Sequence, residues 1–125
     1  MTTTPRMRAD LPFPQAGEGV YFRFTNTDCD HLQGKFGDNW FADVVPRLNR
    51  FDTTYIRECV AIGGKKDGKS IRIKYDELDC PMIELVQTIL DALFISMHGR
   101  KFEDHLDYLE SVKNLEVTDD DSGNA

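Results

Sequence analysis

The stretch Pro81-Met82-Ile83-Glu84-Leu85-Val86-Gln87-Thr88-Ile89-Leu90-Asp91-Ala92-Leu93-Phe94-Ile95-Ser96-Met97-His98 decides the fold class. Its apolar residues Met82, Ile83, Leu85, Val86, Ile89, Leu90, Ala92, Leu93, Phe94, Ile95 and Met97 wrap more than half the circumference of an α-helix, which places that helix at the centre of a core. Pro81 suits an early helical position, Asp79 or Cys80 can stand at the cap, and Gly99 followed by Arg100 supplies a stop. The spacing of Leu85, Ile89, Leu93 and Phe94 keeps at least three of them on one side, so they are expected inside the domain.

Toward the C-terminus, Phe102, Leu106, Leu109 and Val112 recur at helical spacing and predict an amphipathic helix from about Lys101 to Lys113 with an acidic outer face. Beyond Asn114 the composition turns polar and acidic, so residues 115–125 are expected to be a disordered acidic tail. Toward the N-terminus three shorter helices are expected. Thr27 and Asp30 have the outline of a capping box, ahead of Leu32 and Phe36 and a stop at Gly37. Asp38 is the candidate cap for a helix with the apolar face Trp40, Phe41, Val44, Val45 and Leu48, which Pro46 should kink or break near Val45. Asp52 caps the third, with Phe51 and Ile56 spaced as a hydrophobic staple and Tyr55, Ile56, Cys59 and Val60 as its buried stripe.

Two segments alternate instead. Val20, Phe22 and Phe24, and then Ile71, Ile73 and Tyr75, have the period of two of a half-buried strand, the second following a glycine-rich turn from Gly63 to Gly68. Prolines 5, 12 and 14 with Gly17 leave residues 1–18 as a flexible arm, which Leu11 and Phe13 can dock on a neighbour. The reading is therefore mainly α: a small helical domain with two short β-strands, residues 19–114 forming one binding domain between the arm and the tail.

The net charge of -7 is concentrated at one end. From residue 103 onward eight acids face the single base Lys113, whereas residues 1–102 hold 14 acids and 14 bases. A neutral body argues against a duplex nucleic-acid binder, which collects phosphates on a basic face. Lys65, Lys66, Lys69, Arg72 and Lys74, opposed only by Asp67, form the one candidate anion-binding patch, but no aromatic platform is interleaved as single-strand binding prefers. Apolar runs interrupted by Glu84 and Asp91 fall short of the roughly 20 residues a membrane span requires.

Chemistry finds little purchase. Cys29, Cys59 and Cys80 are an odd, widely spaced set with no Cys-x-x-Cys pair, consistent with reduced thiols in the cytoplasm. His31, His98 and His105 have no zinc-ligand spacing, and His98 suits the end of a helix. Asp28, Asp30 and Asp38 lack the EF-hand pattern, and Asp76, Glu77 and Asp79 have no phosphate-binding glycine loop beside them. No catalytic residue, metal or cofactor is expected. Core packing is the ordinary role of Trp40, Phe41 and Phe94, but a small domain with this much apolar helix surface is also suited to holding a partner segment. The candidate protein-binding residues are accordingly Trp40, Phe41, Phe94 and Phe102, together with the acids Glu116, Asp119, Asp120 and Asp121.

A series of landmarks points further. Phe22-Arg23-Phe24-Thr25-Asn26 is followed by His31-Leu32-Gln33-Gly34-Lys35-Phe36-Gly37-Asp38 ahead of Trp40-Phe41. Tyr55-Ile56-Arg57 then leads to Val60-Ala61-Ile62-Gly63, and Leu90-Asp91-Ala92-Leu93 to His98-Gly99-Arg100. In this order the segment from Tyr21 to Arg100, about two thirds of the chain, resembles the small tail assembly chaperones of long-tailed phages and of phage-derived gene transfer agents. The resemblance implies a mostly helical protein without a cofactor. Its partners would be the long tape measure protein, which it keeps soluble in the host cytoplasm, and the tail tube subunits that assemble around it. The turn from Lys65 to Lys69 and the proline-containing arm depart from that pattern. A tail completion or connector protein, and a small ligand- or nucleotide-binding enzyme accessory using the basic turn with Asp76 and Glu77, are the alternatives; a homo-oligomer is compatible with each.

Overall fold

The helix read from the central apolar stretch runs from Met82 to His98 in the computed structural model, which describes residues 10–124 and the side chains of residues 10–115. This helix, α4, is entered from Pro81 and closed by Gly99, whose φ of 75° lets its N–H reach back to the Ile95 carbonyl at 2.8 Å. Leu85, Ile89, Leu93 and Phe94 are 2%, 0%, 0% and 6% exposed, as the spacing predicts. α2 (Trp40–Asn49) and α3 (Thr53–Gly63) pack on α4, α1 (Asn26–Phe36) packs on α2 and α3, and α5 (Phe102–Asn124) follows α4. Among the described residues these are five α-helices, accompanied by an antiparallel sheet in the order β1 (Leu11–Pro12), β2 (Tyr21–Phe22), β3 (Gly64–Lys66) and β4 (Lys69–Ser70).

The domain is thus mainly helical with short strands, but the strands are four and differently placed. Asp67 and Gly68 both have positive φ, 53° and 77°, as a two-residue hairpin turn requires, and this turn pairs Lys66 with Lys69 and Lys65 with Ser70. Ile71 donates its N–H to Gly64 at 3.1 Å, and there the pairing ends: the chain before Gly64 is α3, and the Gly63 carbonyl already accepts from Arg23 N–H at 3.0 Å. The alternation of Ile71, Ile73 and Tyr75 therefore belongs to irregular chain whose Ile73 is buried and to a 3-10 turn that begins at Tyr75, not to a strand. On the other side, Tyr21 faces Lys65 and Phe22 faces Gly64. Close approach explains two glycines here: a Cβ on Gly63 would lie within 2.9 Å of the Phe24 ring, and one on Gly64 within 2.5 Å of Ile73 Cδ1.

The proline-rich arm is docked over the part described. Leu11 and Pro12 pair with Phe22 and Tyr21 as an edge strand, where a proline costs no ladder bond, and Phe13 is 1% exposed against the Phe22 ring. Residues 1–9 of the arm lie outside the described residues.

Local details of the helix ends also differ. The capping box forms two residues earlier than Thr27, at Thr25: Asp28 N–H donates to Thr25 Oγ1 at 3.1 Å and Thr25 N–H to Asp28 Oδ2 at 2.9 Å. Asn39, without a side-chain bond, precedes α2 in place of Asp38, which accepts instead from Gln33 at 3.0 Å. The helix runs through Pro46 to Asn49 without a break. Asp52 caps α3 as read, accepting from Thr54 and Tyr55, but Phe51 has a φ of 58° and is 44% exposed, so no staple forms. Finally, α5 passes Lys113 and its helical backbone continues to Asn124, through the segment read as the acidic tail. No glycine or proline falls between Lys113 and Ser122 to stop it.

Candidate functional site

The connection from α4 to α5 positions the most exposed apolar surface among the described residues. Gly99, Arg100 and Lys101 carry the chain back beside α4, so that Phe102 N–H donates to the Asp91 carboxylate at 3.1 Å, and α5 then runs at 49° to α4. Three residues on, the His105 ring stacks on His98 at 3.9 Å. Phe94 touches both Phe102 and His105, at ring distances of 5.0 and 5.6 Å, while Phe41 reaches Phe94 and His98. His98 is the last residue of α4, so no further turn of that helix accompanies α5 beyond His105.

The consequence is an amphipathic helix with little to lie against. Leu106, Tyr108, Leu109 and Leu115 are 47%, 45%, 48% and 63% exposed. They are four of the seven large exposed apolar side chains among the described residues, the others being Phe51, Ile83 and Met97. The stripe predicted to pack on the body is therefore only partly used. Phe102 and Val112 are half-buried, His105 is the buried residue, and Leu106 and Leu109 face outward. Glu103, Asp104, Asp107 and Glu110 are exposed between them. A cleft of about 330 Å³ opens beside the first turn of α5, with Ile83, Val86, Leu90 and Phe102 as its apolar lining and Lys101, Glu103 and Asp104 at its edge.

Among the protein-binding residues read from sequence, Trp40 and Phe94 are core side chains, 5% and 6% exposed, and offer no contact surface. Phe41 is half-buried against Trp40 and Phe94. Phe102 alone lines the cleft. The side chains of Glu116, Asp119, Asp120 and Asp121 lie outside the described residues, although their backbone is helical.

The basic patch does not converge. Lys65 is buried: its Nζ is 2.9 Å from Asp28 Oδ2 and 2.8 Å from the Ile62 carbonyl, so its charge is spent inside the fold. Lys66 and Lys69 flank the exposed hairpin turn, while Arg72 and Lys74 lie past it, Lys74 3.6 Å from Glu77. Asp76 pairs with Arg57 at 3.0 Å, and the Arg57 guanidinium covers the Tyr75 ring at 4.3 Å. The patch is thus split between a buried ion pair and a solvated surface.

Of the groups with chemical potential, Cys59 is fully buried and its thiol is pushed far up by burial, while burial followed by the Asp28 and Asp30 charges raises Cys29. Both shifts oppose the thiolate. Cys80 is raised as well, chiefly by burial. Among the described residues no three His, Cys, Asp or Glu side chains come together as metal ligands. No single described helix is long and apolar enough to cross a membrane. Sequence reasoning missed the His98–His105 stack, whose signal was the recurrence of Phe94 and His98 one helical turn apart, next to a second helix with His105 one turn inside its start.

No protein-family model, no curated protein and no solved structure matches this chain.

Proposed function

We propose that this chain is a non-enzymatic protein-binding domain that serves as a tail assembly chaperone, binding the tape measure protein in the host cytoplasm and assisting assembly of the tail tube around it. The observation that supports the reading best is the outward-facing apolar row on α5, Leu106 and Leu109, held away from a core that α4 already fills. Exposed rows of this kind, rimmed by polar residues, mark surfaces that take a partner. A helix anchored by its first turn, with Leu106 and Leu109 turned outward, is suited to a client that is itself long and helical. The landmark residues from Tyr21 to Arg100 direct the reading toward tail assembly in particular.

The test is co-expression with a tape measure protein as the client. A soluble complex that purifies together, with this chain absent from finished particles, supports the chaperone. A client equally soluble without the chain rejects that role, and retention in finished particles rejects it in favour of a tail completion or connector protein.

A further inference from the structure

The first-turn cleft and the exposed row on α5 are one surface. Phe102 and Glu103 line the cleft, and Leu106 follows four and three residues later, which sets it on the same side of the helix between them. Leu109 continues the row from Leu106 three residues on, again nearly half exposed. On α4, Ile83 is 46% exposed at the far end of the cleft, with Leu90 between Ile83 and Phe102. The result is an apolar path from Ile83 along the cleft, whose floor is the buried Leu90, to Phe102, Leu106 and Leu109.

Its borders are mainly acidic. Glu103, Asp104, Asp107 and Glu110 are all exposed on the described part of α5, against Lys101 at its start and Lys113 near the end of that part. A second copy of the chain would bring the same acids against these, a repulsive arrangement for charges placed directly opposite each other. A partner with its own apolar stripe flanked by lysine or arginine meets both requirements.

We infer that the path from Ile83 to Leu109 is the docking site for a basic amphipathic helix of a different polypeptide. This deepens the chaperone reading and rests on it, since it assigns the client's chemistry and the face that holds it.

The probe is a fluorescent synthetic helix of about 18 residues, long enough for five turns, with leucine along one face and lysine elsewhere. One control has the same composition with the leucines scattered around the helix, and another has glutamate in place of lysine. Titrated with the full chain, the basic amphipathic helix is expected to bind at least about tenfold more tightly than either control, a difference of roughly 1.4 kcal/mol. Leu106→Ser with Leu109→Ser should weaken it by about tenfold or more while Tm stays unchanged. Equal binding of the scattered peptide overturns the inference, because charge alone then suffices. Dimerisation of the free chain that the paired serine variant abolishes also overturns it, since a second copy then occupies the path. If the paired serine variant still keeps the co-expressed client soluble as well as the native chain does, this site falls and the chaperone role stands. If the peptide binds as expected and the client needs no chaperone, the reverse holds.

Discussion

The imidazoles of His98 and His105 lie face to face, 3.9 Å between centroids and 11° between planes, and join the end of α4 to the start of α5. His105 is 8% exposed and its Nδ1 has no hydrogen-bond partner, so this contact is held by ring stacking within a cluster that includes Phe41, Phe94 and Tyr108. Arg100, its guanidinium 3.8 Å from the Tyr108 ring centroid, adds a fixed positive charge nearby.

A proton on His98 is disfavoured there. Burial first, then His105 and Arg100, hold its pKa below the ordinary 6.5. The unfolded chain therefore takes this proton at a higher pH than the folded one. The contribution of the neutral ring is complete above about pH 6.5 and is lost as pH falls from there through the lower folded value. Followed by NMR, His98 should titrate below 6.5, with faster amide exchange at the start of α5 as it does so. Titration at or above 6.5 would contradict the stacked, partly desolvated arrangement.

Asp28 and Lys65 offer a second test, since Asp28 both closes the α1 capping box and neutralises a buried lysine. Asp28→Ala leaves that ammonium unpaired and should cost about 3–5 kcal/mol in urea unfolding, as loss of one partner of a buried pair does. Lys66→Ala, one residue along the strand but exposed, should stay within about 0.5 kcal/mol. A loss for Asp28→Ala no larger than for Lys66→Ala would mean that the pair is solvated.

Ile89 and Leu106 separate core from surface. Ile89→Ala removes a fully buried side chain and should cost about 2–5 kcal/mol, whereas Leu106→Ala should change stability by no more than about 0.5 kcal/mol. Comparable losses at both sites would place α5 against the body and remove the exposed face.

These contrasts indicate what was legible in the sequence. The interior of α4 could be read because its apolar residues cover more than half its circumference, and any fold that forms this helix must bury most of them. Asp52 could be read because a cap acts locally. The exposure of Leu106 and Leu109 could not, because their spacing specifies only which face of α5 they share. What lies opposite that face is set by the return of the chain to Asp91 and by α4 ending at His98. Lys65 is a similar case: only the pairing of β2 with β3 and the placement of α1 bring it to Asp28, 37 positions away. The hairpin turn at Asp67-Gly68 was legible in principle as a two-residue turn signal, and the lysines around it drew the reading toward anions instead.

The central claim, that the outward row on α5 is where a client sits, is tested most directly by amide hydrogen exchange in the free chain and in its complex with the co-expressed client. With no turn of α4 beside it beyond His105, the segment from Leu106 to Leu115 should exchange quickly in the free chain, while the middle of α4 around Ile89 is slow. On complex formation protection should rise by about tenfold or more from Leu106 to Leu115. A stable complex in which exchange over these residues is unchanged would contradict the account.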